Sequence, residues 1–116
     1  MQPWTVEALP EARAELDAWP LELRASLARI VERIEAVGLE RLGEPLVRHI
    51  EGKLWEMRPS GRRIEGRALY VTAAGRRVVI VLAFQKTTTP RRMIGLAVSV
   101  RSVHDPWSRL RNRESP

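Results

Sequence analysis

The stretch "VVIVLAFQKTTTPRR", residues 78–92, decides how the rest of the chain is read. Val78 to Phe84 is an unbroken apolar run of strand length, dominated by β-branched residues at its start. A strand with one face in water alternates apolar and polar residues; one that is apolar on both faces sits inside a sheet covered on both sides. The run ends abruptly. Gln85 and Lys86 are followed by three threonines, Pro90, Arg91 and Arg92. The exit of the most deeply buried strand therefore carries a lysine, and that placement needs a reason.

Working outward from this strand, two earlier segments read as its sheet partners. "IEGRALYVTA" (64–73) and "LWEMRPS" (54–60) are strand-like, and the links near Ser60-Gly61 and Ala74-Gly75 are short enough for hairpins. Residues 38–53, "GLERLGEPLVRHIEGK", hold three glycines and a proline and read as a connection. Before them, Leu23, Leu27, Ile30, Ile34 and Val37 recur at steps of three and four, which predicts a helix over 21–37 with Gly38 as its C-terminal cap. "EARAELDAW" (11–19) predicts a shorter helix stopped by Pro20, and "WTVEAL" (4–9) a short strand ended by Pro10. After Pro90, Met93, Ile94, Ala97, Val98 and Arg101 fall at helical spacing and predict a last helix, with 105–116 as a flexible tail. The expected order is β-α-α-β-β-β-α. That is an α+β fold in which a small, mostly antiparallel sheet packs against two N-terminal helices, with a further helix at the C-terminus.

Composition narrows the functional classes. A chain of 116 residues with 44% apolar and 29% charged side chains reads as one globular domain, residues 1–116. It has no cysteine, so neither disulfides nor thiolate metal sites are available. No apolar run approaches the roughly 18 residues of a membrane span, and the first residues lack the pattern of a signal peptide. A cytoplasmic protein without membrane contact is expected. The net charge of +6 is unevenly spread. Residues 1–57 hold 7 basic and 11 acidic side chains, and residues 58–116 hold 13 basic and 3 acidic. A half-chain at +10 repels itself unless a polyanion or an acidic partner neutralises it, which points to nucleic acid or an acidic protein.

The usual catalytic signatures are missing. His49 and His104 stand 55 positions apart without flanking acidic pairs, the glycines fit no phosphate loop, and no serine has a nucleophile-elbow setting. His49 reads as a surface residue, and Trp4, Trp19 and Trp55 as core or core-edge residues. What remains is a set of cations at strands and strand ends: Arg58, Arg67 and Lys86. In an antiparallel meander these three converge on one sheet face or rim. Arg67 shares its parity with Leu69 and Val71, an unusual setting for a charge whose only task is solubility.

In that order and spacing, "LWEMR", "GRALYV", "VVIVLAFQKTTTP" and "MIGLA" resemble the RelE/HigB superfamily of bacterial toxins, particularly its phage-derived HigB-like branch. The resemblance covers roughly residues 3–104. It implies a toxin of a type II toxin–antitoxin system that cleaves messenger RNA on the ribosome, using the RNA 2′-hydroxyl as nucleophile. No cofactor or metal is implied. The implied partners are messenger RNA, the ribosome and a cognate antitoxin, commonly a helix-turn-helix DNA-binding protein.

Carried over position by position, the resemblance assigns catalysis to Arg67, Lys86, Arg58 and His104. Arg62, Arg63, Arg91, Arg92 and Arg101 then serve as RNA-binding residues. Arginine suits the task because its planar fork holds two phosphate oxygens and stays charged. His104 titrates near neutrality and suits an acid–base role. Two departures stand out. Thr87 replaces the second lysine of the family's pattern in a shortened loop, and Gly66 replaces the tyrosine before its arginine. Two alternatives remain open at this level: a non-catalytic, ParE-like inhibitor of gyrase, and a basic RNA-binding module.

Overall fold

The structure is a computed structural model that describes residues 3–86. The expected last helix, the expected tail, Thr87, Arg91, Arg92, Arg101 and His104 lie outside the described residues. Strand β1 (Thr5–Ala8) leads into helices α1 (Pro10–Asp17) and α2 (Leu21–Val37) and a single 3₁₀ turn (Leu39–Arg41). Strands β2 (Val47–Glu51), β3 (Leu54–Met57), β4 (Ser60–Gly61), β5 (Ile64–Ala73) and β6 (Arg77–Gln85) follow.

The sheet runs β1-β6-β5-β3-β2, with the short β4 paired to β5. β1 is parallel to β6 and every other pairing is antiparallel. β6 is thus flanked by strands on both sides, as its sequence required. Its two faces feed two apolar clusters. Val78, Ile80 and Ala83 join Ala68, Tyr70 and the helix residues Leu16, Leu23, Leu27, Ile30 and Ile34. Val79, Val81 and Leu82 join Leu9 and Leu69 on the opposite face. Val81 and Leu82 are neighbours in sequence yet share a cluster because the β5–β6 register shifts there: Leu69 opposes Leu82, but Tyr70 opposes Ile80. The extra residue turns two successive side chains to one side.

Helix α2 has the predicted limits, and Leu23, Leu27, Ile30 and Ile34 form its buried stripe. Val37 departs from that stripe and is exposed in the last turn. Gly38 takes φ 96°, and its N–H donates to the Ile34 carbonyl at 2.9 Å, closing the helix.

Three local expectations are corrected. Pro10 begins α1 at its first turn, where a missing N–H costs nothing, instead of merely ending β1. The segment 38–53 contains strand β2 as well as a connection. β2 is an edge strand in which only Val47 is buried, so the alternation that reveals a strand is absent from Arg48, His49, Ile50 and Glu51. The third concerns Trp55, which is 38% exposed, whereas Trp19 is buried and Trp4 packs at the core's edge.

Candidate active site

The antiparallel pairing of β3, β5 and β6 sets the site's geometry. Successive strand residues face opposite ways, so Glu56, Arg67 and Phe84 lie on the face away from the helices. The backbone N–H of Arg58 donates to the Leu46 carbonyl at 2.8 Å, and that of Lys86 to the Glu65 carbonyl at 3.0 Å. These two bonds carry the β2–β3 and β5–β6 pairings beyond the strand ends and fix both cations at the rim.

The three predicted cations do come together, and two carboxylates join them. Arg67 Nε lies 3.6 Å from Glu56 Oε2, and Arg58 Nε lies 3.7 Å from Glu56 Oε1. Glu65 Oε2 stands 3.4 Å from Lys86 Nζ and 4.0 Å from Arg67 Nη2. Arg67 Nη1 also donates to the Gly66 carbonyl at 2.8 Å. Neither glutamate was singled out in the sequence. The available signal was parity: Glu56 and Arg58 are two residues apart on one strand, as are Glu65 and Arg67 on another.

Burial grades the cluster. Arg67 is only 5% exposed and Glu56 is buried, so their pairing is nearly dry, whereas the Lys86 side chain is 53% exposed. Arg58 is intermediate, and its Nε is buried without a hydrogen-bond partner among the described residues. Arg67 therefore sits enclosed instead of lying on an open face. Three cations against two carboxylates leave a surplus positive charge where solvent screens poorly, which suits an anion. Arg48 adds to it: on β2 it is in register with Glu56, exposed, and makes no ion pair among the described residues.

Arg62 and Arg63 are exposed in the β4–β5 turn, where Arg63 takes φ 56°. That turn docks on α2: the Arg62 N–H donates to a Glu22 carboxylate oxygen, and the Ser60 N–H to Ser26 Oγ at 3.0 Å. Among the described residues, neither arginine forms an ion pair or side-chain hydrogen bond with the Glu56 cluster. Gly66 has a packing reason. A Cβ there would stand 2.8 Å from Trp19 Cη2, so the indole fills the space on the helix side of that position.

Two other features lie off this face. A groove of about 540 Å³ between β1, α1 and α2 is lined by Val6, Leu16, Leu27 and Val31, and holds none of the candidate residues. Among the described residues no cluster of three or more His, Asp or Glu could hold a metal, and no helix is long and apolar enough to cross a membrane.

Residues 14–100 match the family described as Phage derived protein Gp49-like (DUF891), three quarters of the chain. The chain belongs to that Gp49-like family. Two of the solved structures similar to it show the fold. One is the toxin–antitoxin complex RelBE2 from Mycobacterium tuberculosis, with TM-score 0.54 and 18% identity over 72% of this chain and 98% of that one. The other is the archaeal RelE–RelB complex from Pyrococcus horikoshii OT3, with TM-score 0.54 and 17% identity over 77% of this chain and all of that one. A search of curated proteins found no match. The Gp49-like chain thus shares the α+β fold of these RelE-containing complexes, and the expected resemblance to the RelE/HigB superfamily holds at the level of fold.

Proposed function

We propose that this Gp49-like chain is the toxin of a toxin–antitoxin pair and acts as an endoribonuclease on messages being translated. The observation that carries the reading is Glu56, held between Arg58 and Arg67 on one sheet face with Lys86 at the rim. Cutting RNA without a metal needs a base for the 2′-hydroxyl proton, cations for the phosphorane and a donor for the leaving oxygen. Glu56 is the base. Arg67 and Arg58 hold the non-bridging phosphate oxygens, and the Lys86 ammonium faces the leaving 5′-oxygen. The 2′-oxygen attacks phosphorus as its proton passes to Glu56, the bond to the 5′-oxygen breaks, and that oxygen takes a proton from Lys86. The products are a 2′,3′-cyclic phosphate and a 5′-hydroxyl end. His104 is retained as an acid–base candidate outside the described residues. The two RelE structures come from complexes with RelB, which supports an antitoxin partner here. A helix-turn-helix protein is the expected kind.

Induced expression in a bacterium, with transcript 5′ ends mapped, tests the reading. Wild type should arrest growth and create new 5′-hydroxyl ends within coding regions. Glu56→Gln and Arg67→Lys keep the shapes of their neighbours and should each lower cleavage by about 10²–10³-fold. An unchanged transcript map at full expression would overturn the reading. Impaired gyrase supercoiling in the same cells would replace it with the non-catalytic alternative.

A further inference from the structure

Trp55 adjoins Glu56 on β3, so it faces the opposite side of the sheet, and there it borders a second cavity. The cavity holds about 280 Å³ between the 3₁₀ turn and the strands, and is lined by Leu39, Leu42, Val47, Trp55, Tyr70 and Thr72, with Glu40 beside them. Trp55 is 38% exposed, unusual for an indole beside a core. His49 stands edge-on to it, ring centroids 5.0 Å apart at 67°. Tyr70 is only 1% exposed, and its hydroxyl has no hydrogen-bond partner among the described residues. Glu40 is held in place by Trp4 Nε1 at 2.8 Å and Arg76 at 3.4 Å.

We propose that this slot binds one unstacked nucleobase of a single-stranded RNA, laid against Trp55 with its polar edge toward Tyr70, Thr72 and Glu40. The inference rests on the reading of the Glu56 face as an RNA site and extends it to a second, non-catalytic subsite. Three observations carry it. The slot takes a single ring system, being below the size of pockets for larger ligands. Tyr70 and Thr72 bring a phenol and a hydroxyl to the lining, beside the Glu40 carboxylate already bonded to Trp4 and Arg76; a base edge offers such groups donors and acceptors, whereas an alkyl side chain offers none. Finally, the two faces are joined by the sheet's edge. β2 is the outermost strand, one interstrand spacing of about 4.8 Å beyond β3. It presents Arg48 in register with Glu56 on one side and His49 in register with Trp55 on the other. A strand leaving the cation cluster passes Arg48, turns over β2 and reaches the indole.

The test uses the full chain and a short fluorescent oligoribonucleotide made uncleavable by a 2′-deoxy nucleotide at the cut position. A series of the same oligonucleotide carries one abasic nucleotide at each position in turn. An abasic nucleotide at one position near the cut should weaken wild-type binding about tenfold, the size of one stacked base. Trp55→Ala should lose about the same factor on the intact oligonucleotide and nothing further on that abasic one. Tyr70→Phe removes a hydroxyl that bonds nothing among the described residues, so it should weaken binding at an unlowered melting temperature. The slot assignment falls if wild type shows no abasic-sensitive position or fails to bind, or if both variants bind as wild type does. Cutting of the all-ribose oligonucleotide, or of messages in a translating extract, is scored separately. Cutting with Trp55-independent binding removes the slot and keeps the nuclease; Trp55-dependent binding without cutting removes the nuclease and keeps the slot.

Discussion

Tyr70 shows how one buried group makes the fold sensitive to pH. Its ring lies in the helix-side core, and burial pushes its hydroxyl up to about 12 from the ordinary 10. The folded state therefore keeps its proton where the unfolded chain has lost it. The stability that follows is fully present below about pH 10 and is lost as pH rises toward 12, at most about 2–3 kcal/mol. Tyr70→Phe should abolish that alkaline loss, so denaturant melts at pH 7 and pH 11 should differ less for the variant than for wild type. Gly66 is a second case. The sequence shows an aromatic missing before Arg67, but only the fold shows why: Trp19, 47 positions earlier, occupies the space that a side chain at 66 would need.

Among the elements, β6 and α2 were legible, and β2 and β4 were not. β6 and α2 bury whole faces, so their apolar spacing is dictated by packing. β2 buries only Val47, and β4 is two residues long, held by its register with β5 and by a helix. That docking makes its own prediction. The Ser60 N–H reaches the partly buried Ser26 Oγ at 3.0 Å, so Ser26→Ala leaves a backbone donor without its acceptor. The variant should lose about 1–2 kcal/mol in denaturant unfolding, while the cleavage proposed for the Glu56 face should stay at the wild-type rate. The cation cluster was half legible for a similar reason. Arg58, Arg67 and Lys86 stand out as charges beside apolar runs, whereas Glu56 and Glu65 acquire meaning only once β3, β5 and β6 are side by side.

Across the molecule, the acidic first half and the basic second half interleave among the described residues. Pairing of β3 with β5 sets Glu56 from one half against Arg67 from the other. Among the described residues, Arg48 and the surplus of the cluster remain unneutralised on that face. Binding of a single-stranded RNA should therefore weaken steeply with salt, and Arg48→Ala should flatten the slope of log K against log salt by about 0.7. A slope unchanged by Arg48→Ala would remove it from the RNA path. The fold class was readable because it depends on strand and helix spacing; the parallel β1–β6 pairing was not, because no local pattern records a partner 72 positions away.

That same pairing sets the order of events during synthesis. β1 is made first, yet Thr5 finds Arg77 and Ala8 finds Ile80 only after 72 further residues exist. At about 5–20 residues per second, this leaves the first strand unpartnered for roughly 4–15 s on the translating ribosome. Arg67 is made within that interval and Lys86 just after it, both later than the helices and Glu56. A chain interrupted before β6 emerges has neither the sheet's interior strand nor Lys86, so a nascent fragment carries no assembled cluster. The harmful activity proposed for this protein would thus arise only after β6 and Lys86 have been made, which gives a partner little notice to meet it.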